Sequence, residues 1–173
     1  MSRSMGNTIA DSLQLSLSYA TRLLTDVQPD QFARFASPGG VSVVSNHAAF
    51  VYGHLSLYAP RILKALNLDS PEVPEGFEAV FSKDAVCADD PNGSVYPEMT
   101  AVTDFFFQGY HAAMEAFRGV NDDVLQQPNP TGGRMTELFP TLGSMQNFYV
   151  GGHMMLHLGQ VSAWRRMMGL GAA

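Results

Sequence analysis

The sequence has little of what several functional classes require. One cysteine, Cys87, among 173 residues excludes an internal disulfide and fits a reducing compartment. Ten Lys and Arg stand against sixteen Asp and Glu, for a net charge of −6, and the only adjacent basic residues are Arg165 and Arg166. A surface that binds nucleic acid needs clustered positive charge, so this composition argues against one.

Long apolar runs are also missing. A membrane-spanning helix needs roughly 18 consecutive apolar residues, and no such run occurs, so the sequence predicts no membrane span. Residues 1–20 have polar residues throughout and lack the apolar centre of a signal peptide. We therefore expect a cytoplasmic protein. The length predicts one domain over residues 1–173, long enough to bury about 70% of its unfolded surface without disulfides.

The spacing of apolar residues predicts four helices. In the first, apolar residues recur at three- and four-residue steps, with Asn7 or Thr8 as its N-cap. Ser45 or Asn46 is the expected N-cap of the second helix. Pro60 either kinks this helix or lies in the first turn of a short helix that continues it. The predicted helices span approximately residues 7–27, 45–66, 97–119 and 139–168.

Two connections between these helices have no helical period. Residues 67–96 form the longer one, which is either a lid over a site or a plain crossover between antiparallel helices. Residues 121–133 form the other. Four helices, two long connections and no strand-like alternation predict an all-α four-helix bundle.

The fourth predicted helix carries a pair of histidines with metal-ligand spacing. His153 and His157 are four residues apart, so both imidazoles can reach one ion on the same helix face. Gln160 follows on that face, where a side-chain donor to a metal-binding histidine would lie. The same spacing also occurs as a polar seam in a helical core, so the pair alone leaves both interpretations open.

The second predicted helix offers a third ligand. His47 and His54 lie about 10 Å apart along the helix axis, so at most one of them joins the other pair. We expect His54, near the middle of the helix, to face the core, and His47 to lie at the solvent-facing mouth of the bundle. Bundles build metal sites from facing helices, and three neutral imidazoles with open positions suit a catalytic divalent ion.

Three segments in order resemble one known family. Gly53-His54-Leu55, Tyr96-Pro97-Glu98-Met99 and residues 153–160 together resemble the DinB/YfiT-like superfamily of four-helix-bundle metalloenzymes. The resemblance covers nearly the whole chain. It implies an up-down-down-up bundle, a metal site formed by His54, His153 and His157, a divalent ion such as Zn²⁺ or Ni²⁺, and a homodimer.

The resemblance also implies a range of activities. Characterised members of this superfamily include transferases and isomerases that use low-molecular-weight thiols, while many others have no known activity. We expect transfer of such a thiol to a small electrophilic substrate. Hydrolysis by a metal-bound water and a non-catalytic, metal-binding dimeric stress protein are the alternatives. The long connection of residues 67–96 and the Gly151-Gly152 pair depart from simpler members and leave the substrate open.

General bases and nucleophiles are scarce near these histidines. The glutamate of an HExxH zinc-protease motif is missing, so a base has to come from elsewhere, and His47 or Asn46 are the candidates. Cys87 is a possible nucleophile, but no base lies beside it in the sequence.

Apolar residues outside the main stripes predict a dimer interface. Leu15 and Leu23 lie away from the principal apolar face of the first helix. Further large apolar side chains of the last helix lie on several faces, namely Met154, Met155, Trp164, Met167 and Met168. Because large exposed apolar patches mark interfaces, we expect a two-fold homodimer that uses the helices near the chain ends.

Overall fold

The computed structural model describes residues 3–173, which form helices and connecting loops. Across this range no strand is formed, and the β-type pairing is an isolated antiparallel bridge between Pro128 and Thr141. The all-α prediction is confirmed. None of the helices in the described range is both long enough and apolar enough to cross a membrane.

Ten α-helices occur in the described range. They are α1 (Met5–Leu23), α2 (Pro29–Phe32), α3 (Ala48–Ser56), α4 (Tyr58–Ala65), α5 (Phe77–Phe81), α6 (Met99–Gly119), α7 (Asp122–Leu125), α8 (Gly133–Leu138), α9 (Leu142–Asn147) and α10 (Met154–Met167). A 3₁₀ turn covers Pro38–Gly40, and a π-helical segment, Phe148–His153, joins α9 to α10.

The first predicted helix is confirmed, but it begins one turn earlier than expected. The N-cap is Ser4, whose hydroxyl accepts a hydrogen bond from the backbone N–H of Asn7, so neither Asn7 nor Thr8 caps the helix. The apolar stripe of α1 is buried, as its spacing predicts. This face packs against both α6 and α10.

The second predicted helix is two helices, α3 and α4, which meet at Leu57. Pro60 lies in the first turn of α4, where a backbone N–H would have no acceptor within the helix. The lack of an N–H in proline therefore costs no hydrogen bond there. The N-cap of α3 is His47, not Ser45 or Asn46, because its ring Nδ1 accepts a hydrogen bond from the backbone N–H of Phe50. A buried imidazole lone pair thus does the capping usually done by a hydroxyl or carboxylate oxygen.

The third predicted helix is confirmed as α6, which begins at Met99 and ends at Gly119. Its aromatic side chains are buried in the core against α1, α3 and α4. The two connections predicted to lack helix contain short ones: α5 lies within residues 67–96, and α7 begins the 121–133 stretch. Each of these buries an apolar side chain, Phe77 and Phe81 in α5 and Leu125 in α7, which is enough to fix one turn against the core.

The fourth predicted helix is interrupted by the π-helical segment. One extra residue per turn shifts the faces of the helix on either side of it, and such segments occur frequently at functional sites. Ser16 of α1 donates a hydrogen bond from its hydroxyl to the carbonyl oxygen of Val150, 3.2 Å away, inside this segment. The segment ends at His153 and therefore sets the direction of that side chain.

The second half of the long connection is fastened to the rest of the molecule. The Asp89 carboxylate accepts hydrogen bonds from the Arg34 guanidinium and the Phe35 backbone N–H, and the Asp90 N–H donates to the carbonyl oxygen of Ala33. The ring of His47 lies 2.9 Å from the carbonyl oxygen of Ala88. These contacts favour a packed crossover connection over a lid.

Part of the predicted dimer surface is core instead. Leu23, Met154 and Trp164 are fully buried, because α10 packs against both α1 and α3. Trp164 also donates its indole N–H to the carbonyl oxygen of Arg34 at 2.8 Å. Leu15 and Met155 do lie at the surface, and so does the neighbouring Leu156.

Candidate metal centre

His54 is held by a carbonyl group at the end of α5. Its Nδ1 lies 2.8 Å from the carbonyl oxygen of Phe81, and a carbonyl only accepts hydrogen bonds, so Nδ1 carries the proton. The remaining nitrogen, Nε2, has a free lone pair. The preceding residue, Gly53, allows this approach, because a Cβ at that position would overlap the Phe81 ring.

His157 is held by Gln160 in the same way. Its Nδ1 lies 3.0 Å from the Gln160 side-chain oxygen, which also accepts a hydrogen bond from the Asn46 amide at 3.1 Å. The Gln160 oxygen accepts from both the Asn46 amide and His157, so His157 Nδ1 is the donor. Gln160 therefore contacts His157 as an acceptor and not as the donor that the sequence suggested, and Nε2 of His157 keeps its lone pair.

His153 ends the π-helical segment and is surrounded by aromatic rings. The centroid of its ring lies 4.5 Å from that of Tyr58 and 5.7 Å from that of Phe148. Its buried Nδ1 has no hydrogen-bond partner among the residues that the structure describes. An unpartnered buried nitrogen costs free energy, so a ligand or ion beside it would remove a destabilising feature.

The structure brings His54, His153 and His157 together. One ligand atom from each lies within 4.8 Å of those of the other two, and the three residues could hold a metal ion. Burial lowers the pKa of all three, and the pKa of His153 falls to about 4 because the other two histidines add to the effect of burial. At neutral pH all three are therefore uncharged, which is the form that binds metals.

The three histidines face a pocket of about 520 Å³. One wall comes from α3 and α4, another from α10, and the third from the segment that follows α5. Besides the histidines, the lining residues are Asn46, Phe50, Tyr58, Ser82, Lys83, Ala85, Val86 and Cys87. This volume lies in the range of small-molecule sites.

His47 does not lie at the mouth of the bundle; that prediction is wrong. Its side chain is fully buried, and both ring nitrogens are engaged, Nδ1 by the Phe50 N–H and Nε2 by the Ala88 carbonyl oxygen. Burial lowers the pKa of His47, against the opposing effect of its hydrogen bond to Ala88. No nitrogen is left to accept a proton from a substrate. Asn46 lines the pocket, but its amide orients Gln160 and is no base.

Tyr58 and Lys83 also line the pocket and were not predicted as site residues. Tyr58 lies four residues after His54, and this helical spacing was a usable signal for it. Lys83 has no such signal, because it lies on an irregular segment. Cys87 reaches the pocket too, but burial raises the pKa of its thiol, so it stays protonated and is a poor nucleophile. His111 is exposed and lies outside the cluster.

The Gln160→Leu substitution tests how His157 is oriented. Without the amide oxygen, Nδ1 loses its acceptor, and we expect a mixture of the two neutral tautomers and a 10–100-fold loss of metal affinity, as is typical for partners of metal-binding histidines. Imidazole ¹⁵N NMR on metal-free protein and competition with a chelator measure these effects. Gln160→Glu keeps an oxygen in place and is the control; a wild-type tautomer in Gln160→Leu would contradict the assignment.

The burial of His47 predicts a pH dependence of stability. Its pKa in the folded protein lies below the unfolded value of about 6.5, so the unfolded chain binds more protons as the pH falls through that value. The stability that neutral His47 contributes is present above this pH and is lost below it. The loss is about 1.4 kcal/mol for each unit by which folding lowers the pKa.

His47→Asn keeps a capping side chain but removes the titrating group. We therefore expect its free energy of unfolding to fall less between pH 7 and pH 5 than that of the wild type. Urea denaturation of both proteins with a chelator present measures the difference, and the remaining histidines contribute equally to each. Parallel pH profiles would show that His47 is not the group responsible.

Comparison with known proteins adds no assignment to this geometry. No family model matches the sequence, and a search of curated proteins gives no match. The function is therefore argued from the three histidines, their hydrogen-bond partners and the pocket that they face.

Proposed function

We propose that the protein is a divalent-metal-dependent enzyme of the DinB-like type, in which His54, His153 and His157 hold the ion. The observation that carries the proposal is the convergence of these three neutral imidazoles in the lining of one pocket. The proposal includes the up-down-down-up four-helix bundle of that superfamily and a cytoplasmic location. Nitrogen donors of this kind suit Zn²⁺ or Ni²⁺.

The number of histidines favours an enzyme over a non-catalytic metal-binding module. Structural zinc sites are usually closed by four protein ligands, whereas catalytic sites have three and an open position. Within residues 3–173, the cluster contains three ligands and faces a pocket large enough for a substrate. An open position next to a pocket is the arrangement that a reaction needs.

The pocket lining favours thiol chemistry over hydrolysis. A divalent ion with neutral ligands keeps its full charge and lowers the pKa of a thiol or water that binds to it. Water-based hydrolysis generally also uses a separate base, and the pocket lining has no carboxylate and no free imidazole. A thiol is already a strong nucleophile once it is deprotonated, so it needs less help from the chain. We therefore place transfer of a low-molecular-weight thiol to a small electrophile first.

The chain's own residues have separate roles in this proposal. The Phe81 carbonyl and the Gln160 amide fix the protonated nitrogens of His54 and His157, so that both lone pairs are available. The rings of Tyr58 and Phe148 pack against His153, whose Nδ1 is buried. The apolar side chains of Phe50 and Val86 give an electrophile a surface to contact.

Metal content tests the ligand assignment directly. We expect protein purified without an affinity tag to retain a divalent metal, and His153→Ala and His157→Ala to lose it. His111→Ala, which removes an exposed histidine outside the cluster, is the matched control and should retain the metal. Elemental analysis measures the content; equal metal in all four proteins would end the assignment. Wild-type thermal stability should also rise with added metal, by about 2.7 kcal/mol at one hundred times the Kd.

Thiol dependence separates transfer from hydrolysis. A panel of small electrophiles is incubated with the metal-loaded protein, with and without glutathione-type thiols. We expect turnover only with thiol, and loss of that turnover in His157→Ala. Equal turnover without thiol would favour the hydrolase, and metal-dependent stability without any turnover would favour the non-catalytic module.

We further propose that the protein is a homodimer in solution. Leu15 of α1 and Leu156 of α10 are both more than half exposed, and α1 and α10 pack together. Light scattering at micromolar concentration should give the mass of two chains, and Leu156→Asp should shift the population toward one chain. The mass of one chain for the wild type, unchanged on concentration, would rule the dimer out.

A further inference from the structure

The pocket beside the three histidines has an unusual charge for this chain. The chain has sixteen acidic residues and a net charge of −6, yet no Asp or Glu lines the pocket. Its lining does include Lys83, one of only two lysines in the sequence. Among the lining residues, Lys83 is therefore the one with a formal charge, and that charge is opposite in sign to the net charge of the protein.

The acidic groups near the pocket leave Lys83 able to pair with a bound anion. Asp84 is its only ion-pair partner in the described range, with 3.8 Å between Lys83 Nζ and the carboxylate, and both side chains are about four-fifths exposed. Such pairs contribute little and exchange readily with solvent. Glu78 lies 3.3 Å from the Arg61 guanidinium, which stacks over the Tyr58 ring, so a second cation lies next to this pocket residue.

The histidines add positive charge to the pocket when they hold a divalent ion. This step rests on the proposed function: three uncharged histidines do not neutralise a divalent ion, so its two charges remain. A ligand that fits the pocket then meets positive charge both at the histidines and at Lys83. The same pocket is also lined by the apolar side chains of Phe50, Ala85 and Val86.

We infer that the pocket selects an acidic thiol, a small molecule that presents its sulfur to the histidines and a carboxylate to Lys83. The apolar wall suits a short aliphatic link between the two groups. Lys83 is then the residue that determines which thiol binds, because a neutral or cationic thiol cannot form an ion pair with its ammonium group. The preference is electrostatic and weakens as salt is added.

Three thiols of similar size and different charge test this inference. They are mercaptopropionate, which is negative, mercaptoethanol, which is neutral, and cysteamine, which is positive. Each is titrated into Co²⁺-loaded protein at low salt, and binding is followed through the visible absorption of the Co²⁺ ion. We expect mercaptopropionate to bind about three- to fivefold more tightly than mercaptoethanol, the size of one exposed charge pair, and cysteamine to bind more weakly than both.

Two variants locate the preference. Lys83→Gln should bring the affinities for mercaptopropionate and mercaptoethanol close to each other. Lys64→Gln removes the other lysine, which is exposed on α4 away from the pocket, and should leave the preference unchanged. Lys83 is largely exposed, so its replacement is expected to leave the fold intact, which circular dichroism checks.

The outcomes separate this inference from the proposed function. Equal affinities for the three thiols, or a preference that survives in Lys83→Gln, would overturn the acidic thiol alone. Propionate that binds as tightly as mercaptopropionate would overturn the placement of the sulfur at the histidines. Co²⁺ binding that is unchanged in His153→Ala would overturn the proposed metal site and, with it, this inference.

Discussion

Burial of three histidines in one place is the constraint on which the site depends. A charged imidazole is unfavourable away from water and more so beside another one, so these three stay neutral. A neutral imidazole has one N–H and one lone pair, and each buried N–H needs an acceptor. The carbonyl of Phe81 and the amide of Gln160 supply these acceptors for His54 and His157. The second nitrogen of each of these two rings therefore keeps a free lone pair.

His47 and His54 show how neighbouring turns of one helix give a histidine two different roles. Burial lowers the pKa of both. His47 uses both ring nitrogens, one to cap α3 and one to hold Ala88, so it is complete within the fold. His54 uses one, and its second nitrogen faces the cluster. The number of engaged nitrogens, and not burial or pKa, separates the structural histidine from the candidate ligand.

The parts of the molecule that follow from periodic patterns could be predicted from the sequence. The apolar stripes of α1 and α6 and the spacing of His153 and His157 each depend on a single helix. Pro60 signals the break between α3 and α4. The burial of His47 against Ala88 and the contact of Ser16 with Val150 in the π-helical segment join distant parts of the chain and have no local signal. The same holds for Trp164, whose burial depends on the packing of α10.

The pocket wall formed by the segment after α5 is the part of the site that the sequence predicts least. It is also the part on which the proposed chemistry depends most. Lys83, Val86 and Cys87 lie on a segment without periodicity, and its position follows from α5 packing onto Gly53 and from His47 holding Ala88. The contact of α5 with Gly53 and the contact of His47 with Ala88 thus bring Lys83 and an apolar surface close to the three histidines. No carboxylate lines the resulting pocket. A site without carboxylates leaves any bound cation uncompensated, so an anionic nucleophile gains more from entering this pocket than neutral water does.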